Sequence, residues 1–185
     1  MLQAFRKPKA PMKPSSPLEV PEFSSGRILT IDEIESAVLR EIAAYWFSLR
    51  GARLFPSRSD IAPKDLRRLL PHVTVLRVVD DGADYEYRIM GDVQVHAIGK
   101  SFSGLKLSDV AREFPKFGEG LKLLLDGTRS ARQPFGHRCW IGRDQPEVRF
   151  GYKEGAFLPL GPADDTVDHI LMASVIVPRS IPPRT

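Results

Sequence analysis

Tyr45-Trp46-Phe47-Ser48-Leu49-Arg50-Gly51-Ala52-Arg53-Leu54-Phe55-Pro56-Ser57-Arg58-Ser59-Asp60-Ile61-Ala62-Pro63 is the stretch whose reading decides the fold. Its first residues finish an amphipathic helix, and Gly51 stops that helix by supplying a backbone conformation open to glycine. An Arg- and Pro-marked connector follows, and Pro63 is a favourable first residue for the next helical segment.

Upstream, Thr30 and Glu33 form a capping box, so the spacing predicts a helix from Thr30 to Arg50. Ile31, Ile34, Val38, Ile42, Tyr45 with Trp46, and Leu49 share one stripe. Such a stripe is buried against the domain's own sheet or against a second copy of the helix. Ile34, Val38, Ile42 and Tyr45 are the candidate interface in the second case.

Downstream, a short helical segment runs from Pro63 to Leu70 and Pro71 ends it. Val73 to Val79 and Tyr85 to Met90 read as an antiparallel hairpin around the turn cluster Asp80-Asp81-Gly82-Ala83-Asp84. Gly91, Gly99 and Gly104 punctuate short helical pieces. A further helix is expected over Phe117 to Asp126, closed by Gly127. Three strands follow, at about Arg132 to Ile141, Val148 to Leu160 and Val167 to Val177, with turns at Arg143-Asp144-Gln145-Pro146 and Gly161 to Asp165. Hairpin-linked strands with helices clustered in the middle argue for an α+β domain with an antiparallel sheet packed on one face by those helices.

The ends differ from this middle. Residues 1–26 read as a disordered tail in which Pro8, Pro11, Pro14 and Pro17 recur every third residue between lysines. That period fits a polyproline II ligand or an extended linker. Residues 27–177 form the expected domain, and residues 178–185 a loose, Pro-rich tail.

The 185 residues suffice for one domain with a real core, and 42% apolar and 27% charged residues are ordinary for a globular protein. No run approaches the roughly 18 apolar residues of a membrane span. The N-terminus, Met-Leu-Gln-Ala-Phe-Arg-Lys-Pro-Lys-Ala, has no apolar segment behind its basic residues, so a secretory signal is not expected. The single cysteine, Cys139, excludes an intramolecular disulfide and fits a reducing cytoplasm.

The net charge is +4. Six basic residues against two acidic ones lie between Arg50 and Arg68, and four arginines without an acid lie between Gly127 and Arg143. These clusters support an alternative function, binding to nucleic acid or an anionic surface. No nucleic-acid reading motif accompanies them.

Taken in order, several of these pieces together resemble a single-domain bacterial PAS family. They are Tyr45-Trp46…Leu49-Arg50-Gly51, Pro56-Ser57-Arg58-Ser59-Asp60-Ile61-Ala62-Pro63, Leu69-Leu70-Pro71-His72, Tyr87-Arg88-Ile89-Met90-Gly91, Gly99 to Gly104, and Leu158-Pro159-Leu160. The resemblance covers roughly Ile31 to Val177. It implies a five-stranded antiparallel sheet in the order 2-1-5-4-3, flanked by small helices and preceded by an N-terminal helix. It also implies a sensory or signalling adaptor that binds a small ligand, a protein partner or both. Trp46, Arg50, Gly51, Pro56, Arg58, Asp60 and Pro63 are read as scaffold, with an Arg–Asp pair tying the connector to the sheet edge.

Chemistry-bearing residues are sparse. Haem-binding PAS domains hold iron through a histidine on the long helix, and Phe117 to Asp126 has none; His72, His96, His137 and His169 lie elsewhere. A LOV-type flavin requires a cysteine between the hairpin and that helix, which is also absent. No nucleophile elbow or phosphate loop occurs, so no enzymatic activity is expected. A ligand would sit between the sheet and the helices. The candidate walls are Tyr87, Ile89, His96, Leu121, Leu125, Cys139, Trp140 and Met172, which otherwise fill a core. Signals would leave through a protein partner, or through a homodimer formed by the helix at residues 30–50.

Overall fold

The computed structural model describes residues 26–140 and 150–178. The expected N-terminal tail, the Arg143 to Pro146 turn and nearly all of the C-terminal tail lie outside them. Six strands, β1 (Arg27–Leu29), β2 (Val73–Val79), β3 (Asp84–Met90), β4 (Phe135–Trp140), β5 (Phe150–Leu160) and β6 (His169–Pro178), form one antiparallel sheet. Its order is β1-β4-β5-β6-β2-β3. Without β1, this is the 2-1-5-4-3 order implied by the resemblance. The extra edge strand pairs Ile28 with His137. Three residues are too few to show a period of two.

Strand register separates two faces. Met172 pairs with Phe157 on one side and Thr74 on the other, and Thr74 pairs with Met90. These side chains share the face covered by α3 (Asp92–Ile98), α4 (Leu107–Glu113) and α5 (Pro115–Ala131). Two bonds fix the first and last of those helices: Gln94 of α3 donates to Ser174 Oγ at 2.9 Å, and Tyr85 donates to Asp126 of α5 at 2.7 Å. Glu154, Ala156 and Leu158 alternate onto the opposite face, under α1 (Ala37–Arg50).

The first helix starts later than its capping box suggests. Thr30 and Glu33 do form the box, with the Thr30 N–H donating to Glu33 Oε2 at 2.8 Å. It caps only a 3₁₀ turn, Ile31–Glu33, after which Ile34 is extended. The Glu35 and Ser36 N–H groups then donate to Glu154, and Ser36 caps the new helix by accepting from the Leu39 N–H.

The apolar stripe of α1 lies on the chain's own sheet. Ile34, Leu39, Ile42 and Trp46 are buried, while Val38 and Tyr45 pack against the same core. Trp46 also donates its indole N–H to the Pro159 carbonyl at 2.9 Å. The candidate homodimer face of Ile34, Val38, Ile42 and Tyr45 is therefore corrected to an internal packing face.

Two further boundaries differ. The short segment after Pro63 is one α-turn, α2 (Pro63–Leu66), followed by a 3₁₀ stretch that runs through Pro71 to His72. Gly127 does not end the long helix. The chain stays helical to Ala131, and Arg132 closes it in the left-handed region at φ 53°. Leu121, Leu125 and Thr128 are all buried along that helix, so packing carries it past the glycine.

Candidate functional site: the helix-facing side of the sheet

The scaffold signature holds α1 and the connector onto β5 and β6. The Pro56 carbonyl accepts from Gly161 N–H, Tyr45 Oη accepts from Ala62 N–H, and Asp164 accepts from Leu54 N–H. The expected Arg–Asp pair is present as Arg53–Asp60, not as a pair with Arg50 or Arg58, and it closes within the connector rather than on a sheet edge. The Arg53 hydrogen bond and the Ser57 N–H hold the Asp60 carboxyl below its usual range. Arg58 donates to the Ile61 carbonyl, and Arg50 lies over the Phe47 ring.

The helix-facing side gathers five of the eight candidate wall residues. Tyr87 and Met172 are buried on the strands, Leu121 and Leu125 are buried on α5, and Cys139 is partly buried on β4. Ile89 is not among them. A bulge between Val75 and Leu76 breaks the alternation Tyr85, Tyr87, Ile89, and leaves Ile89 paired with Val75 on the opposite face. It is exposed there. His96 is exposed on α3. Trp140 lies in β4, and its side chain is outside the described residues.

Two hydroxyls on this face have no hydrogen-bond partner among the described residues, Thr74 Oγ1 and Tyr87 Oη, and both residues are 0% exposed. Tyr87 packs edge-on against Phe102. Burial alone pushes its phenol above the ordinary tyrosine range. Nearby, Gln94 reaches Ser174 Oγ, and the Ser174 carbonyl meets His72 Nδ1 at 3.0 Å.

Farther along the strands, His137 and Cys139 follow Phe135 on the same face. Cys139 pairs with Lys153, and His137 with Gly155. Burial and the Lys153 charge push the His137 imidazole down to about 4, so it is neutral at pH 7. Burial raises the Cys139 thiol and lowers the Lys153 ammonium from their ordinary values. Sequence reading missed Lys153 and Ser174, because polar residues on alternating strands read as solvent-facing, and Gln94, because a polar residue on a short helix reads the same way. Gly155 between Lys153 and Phe157 was the available signal.

The opposite face holds a buried ion pair. Glu154 Oε1 accepts from Arg138 Nη2 at 2.7 Å, and Arg138 also pairs with Glu35. A separate surface cleft of about 500 Å³ lies between the end of α5, the β2–β3 turn and the β5–β6 loop, with Arg129, Arg132 and Asp168 in its walls. Among the described residues no three His, Cys, Asp or Glu side chains converge as a metal site, and no helix is long and apolar enough to cross a membrane.

A family profile described as PAS domain matches residues 34–111, the segment that carries α1, the connector, β2, β3, α3 and the start of α4. That segment, and not the whole chain, is similar to the PAS domain family. The match begins at Ile34, three residues before α1, and ends inside α4. The remaining helix and strands β4 to β6 complete the PAS fold in the structure. No curated protein and no solved structure matches the chain. PAS domains are in general sensory and signalling domains.

Proposed function

We propose that this PAS domain is a non-catalytic sensor that binds a small molecule on its helix-facing sheet surface and passes the event to α1. The observation that carries the reading is the pair of buried hydroxyls, Thr74 Oγ1 and Tyr87 Oη, without partners. Buried polar atoms are paired in the great majority of cases, and an orphan costs about 1–3 kcal/mol. Two orphans on one face point to hydrogen bonds supplied from outside the chain, by a ligand or by water.

The route to α1 is short. Lys153 and Glu154 are neighbours on β5 and face opposite sides of the sheet. Glu154 holds the Glu35 and Ser36 amides at the start of α1. A ligand that moves β5 therefore changes the clamp on α1, and the signal leaves as altered association with a protein partner. The rival, binding to nucleic acid or an anionic surface, has less support. Arg53, Arg68, Arg129 and Arg138 of the basic clusters are paired with the chain's own acids.

Native mass spectrometry of freshly purified protein, repeated after denaturation, tests the reading. A small adduct that denaturation releases is the expected result. A ligand-free mass from every preparation, with no small molecule shifting the melting temperature, overturns it.

A further inference from the structure

The end of the helix-facing surface formed by β4, β5 and β6 has a chemistry of its own. Gly155 leaves a gap in the middle of it. Its neighbours on this face are His137 across the β4 pairing, Ser174 across the β6 pairing, and Lys153 and Phe157 along β5. A Cβ built at Gly155 would meet the Ala173 carbonyl at 3.3 Å, the Phe157 ring edge at 3.7 Å and Ser174 Oγ at 3.8 Å. The two side-chain contacts are at ordinary van der Waals distance, and the tight one is to backbone of the neighbouring strand, so the notch is the room left by the missing side chain.

Donors surround the notch: the Lys153 ammonium, the N–H of a neutral His137, the Cys139 thiol, and a Ser174 hydroxyl already accepting from Gln94. The described residues of β4, β5 and β6 that face the helices include no carboxylate. Glu154 points to the other side and is bound to Arg138. Asp126, on the covering helix α5, is taken by Tyr85 and Lys122. Among the described residues, Lys153 has no ion pair or hydrogen bond. Part of its surface still reaches solvent, which leaves a path for a ligand. A largely enclosed cation without a counter-charge is unfavourable, and a set made of donors wants an acceptor that carries charge.

We propose that this notch binds the acid group of an amphipathic organic carboxylate, with Lys153 as its counter-charge and His137 and Ser174 as further donors. The inference rests on the ligand-sensor reading and names the class of ligand. One ammonium matches the single charge of a carboxylate, whereas a phosphate dianion would leave a charge unpaired in a low-dielectric site. The apolar body would lie along Ile176, the register partner of Lys153, and Phe157, whose ring stacks on Phe135 at 5.2 Å.

The test is titration calorimetry on the full chain with straight-chain carboxylates from butanoate to dodecanoate, the matching primary alcohols and the matching alkyl phosphates. Lys153→Met keeps the length of the side chain without its charge, Lys153→Arg keeps the charge, and melting curves without ligand check that both fold. Carboxylates should bind the wild type more tightly than alcohols. Lys153→Met should weaken them about 10–100-fold, the equivalent of one lost charge-assisted contact, and Lys153→Arg only a few-fold. Alcohol binding should be the same in all three proteins.

Equal binding of alcohols and carboxylates, unchanged in Lys153→Met, would overturn the acid assignment and leave the sensor reading standing. Tighter binding of the phosphates would overturn the choice of carboxylate. Failure of every probe would overturn the acid assignment, and together with a ligand-free native mass it would remove the sensor reading too.

Discussion

Replacing Glu154 should loosen the start of α1 more than any other single polar change. The residue is 1% exposed and its carboxylate accepts four hydrogen bonds: from Glu35 N–H at 3.1 Å, Ser36 N–H at 2.8 Å, Arg138 Nε at 3.2 Å and Arg138 Nη2 at 2.7 Å. Glu154→Ala leaves two amides and a guanidinium without that acceptor. Breaking a buried pair by removing one partner costs about 3–5 kcal/mol. Glu154→Gln keeps one acceptor oxygen, and its cost should be about 1–3 kcal/mol. Urea denaturation should show lower midpoints with unchanged slopes.

The pH dependence gives a second reading of the same site. Burial raises the Glu154 carboxyl, but the bonds from Arg138, Ser36 and Glu35 outweigh it and hold the group below the ordinary 4.5. A depressed folded value means stabilisation that is complete above the unfolded value and is lost as pH falls through the folded one. The wild type should therefore lose stability below about pH 4.5 along a slope that Glu154→Gln lacks. A cost under about 1 kcal/mol for Glu154→Ala, or identical acid limbs in wild type and Glu154→Gln, would refute the clamp.

Three other outcomes are expected. Trp46→Phe removes the indole donor to Pro159 O and leaves a cavity in the core, so it should cost about 2–4 kcal/mol in urea unfolding. Tyr87→Phe removes an orphaned hydroxyl and should stabilise the ligand-free protein by about 1 kcal/mol, seen as a higher melting temperature; a destabilised variant would show that the hydroxyl is bonded. Gly161→Ala puts a Cβ 1.8 Å from the Thr166 carbonyl and should cost about 3 kcal/mol, measured by the loss of folded protein in the same urea series.

The positions of β2 to β6 were legible because the hairpin turns and β-branched runs are local signals, whereas their order came from the family resemblance and β1 gave no signal. The start of α1 was not legible. A Thr30–Glu33 capping box looks the same in sequence whether a 3₁₀ turn or an α-helix follows, and the choice is made by Glu154, more than a hundred residues away. Gly127 gave a sound local stop signal that burial of Leu125 and Thr128 overrides. The candidate wall followed strict alternation along β3, which one bulge defeats at Ile89. Lys153 was invisible for a related reason: whether a strand lysine faces solvent or helices depends on register across the whole sheet.

Amide hydrogen exchange with and without the tightest-binding probe of the carboxylate series tests the coupling between the two faces most directly. Protection should change both in the Lys153 to Phe157 segment of β5 and in the first turn of α1, from Ala37 onward. In Glu154→Gln the change in α1 should shrink while the change in β5 persists. A ligand effect confined to the helix-facing strands, with α1 exchange unaltered in the wild type, would contradict the account.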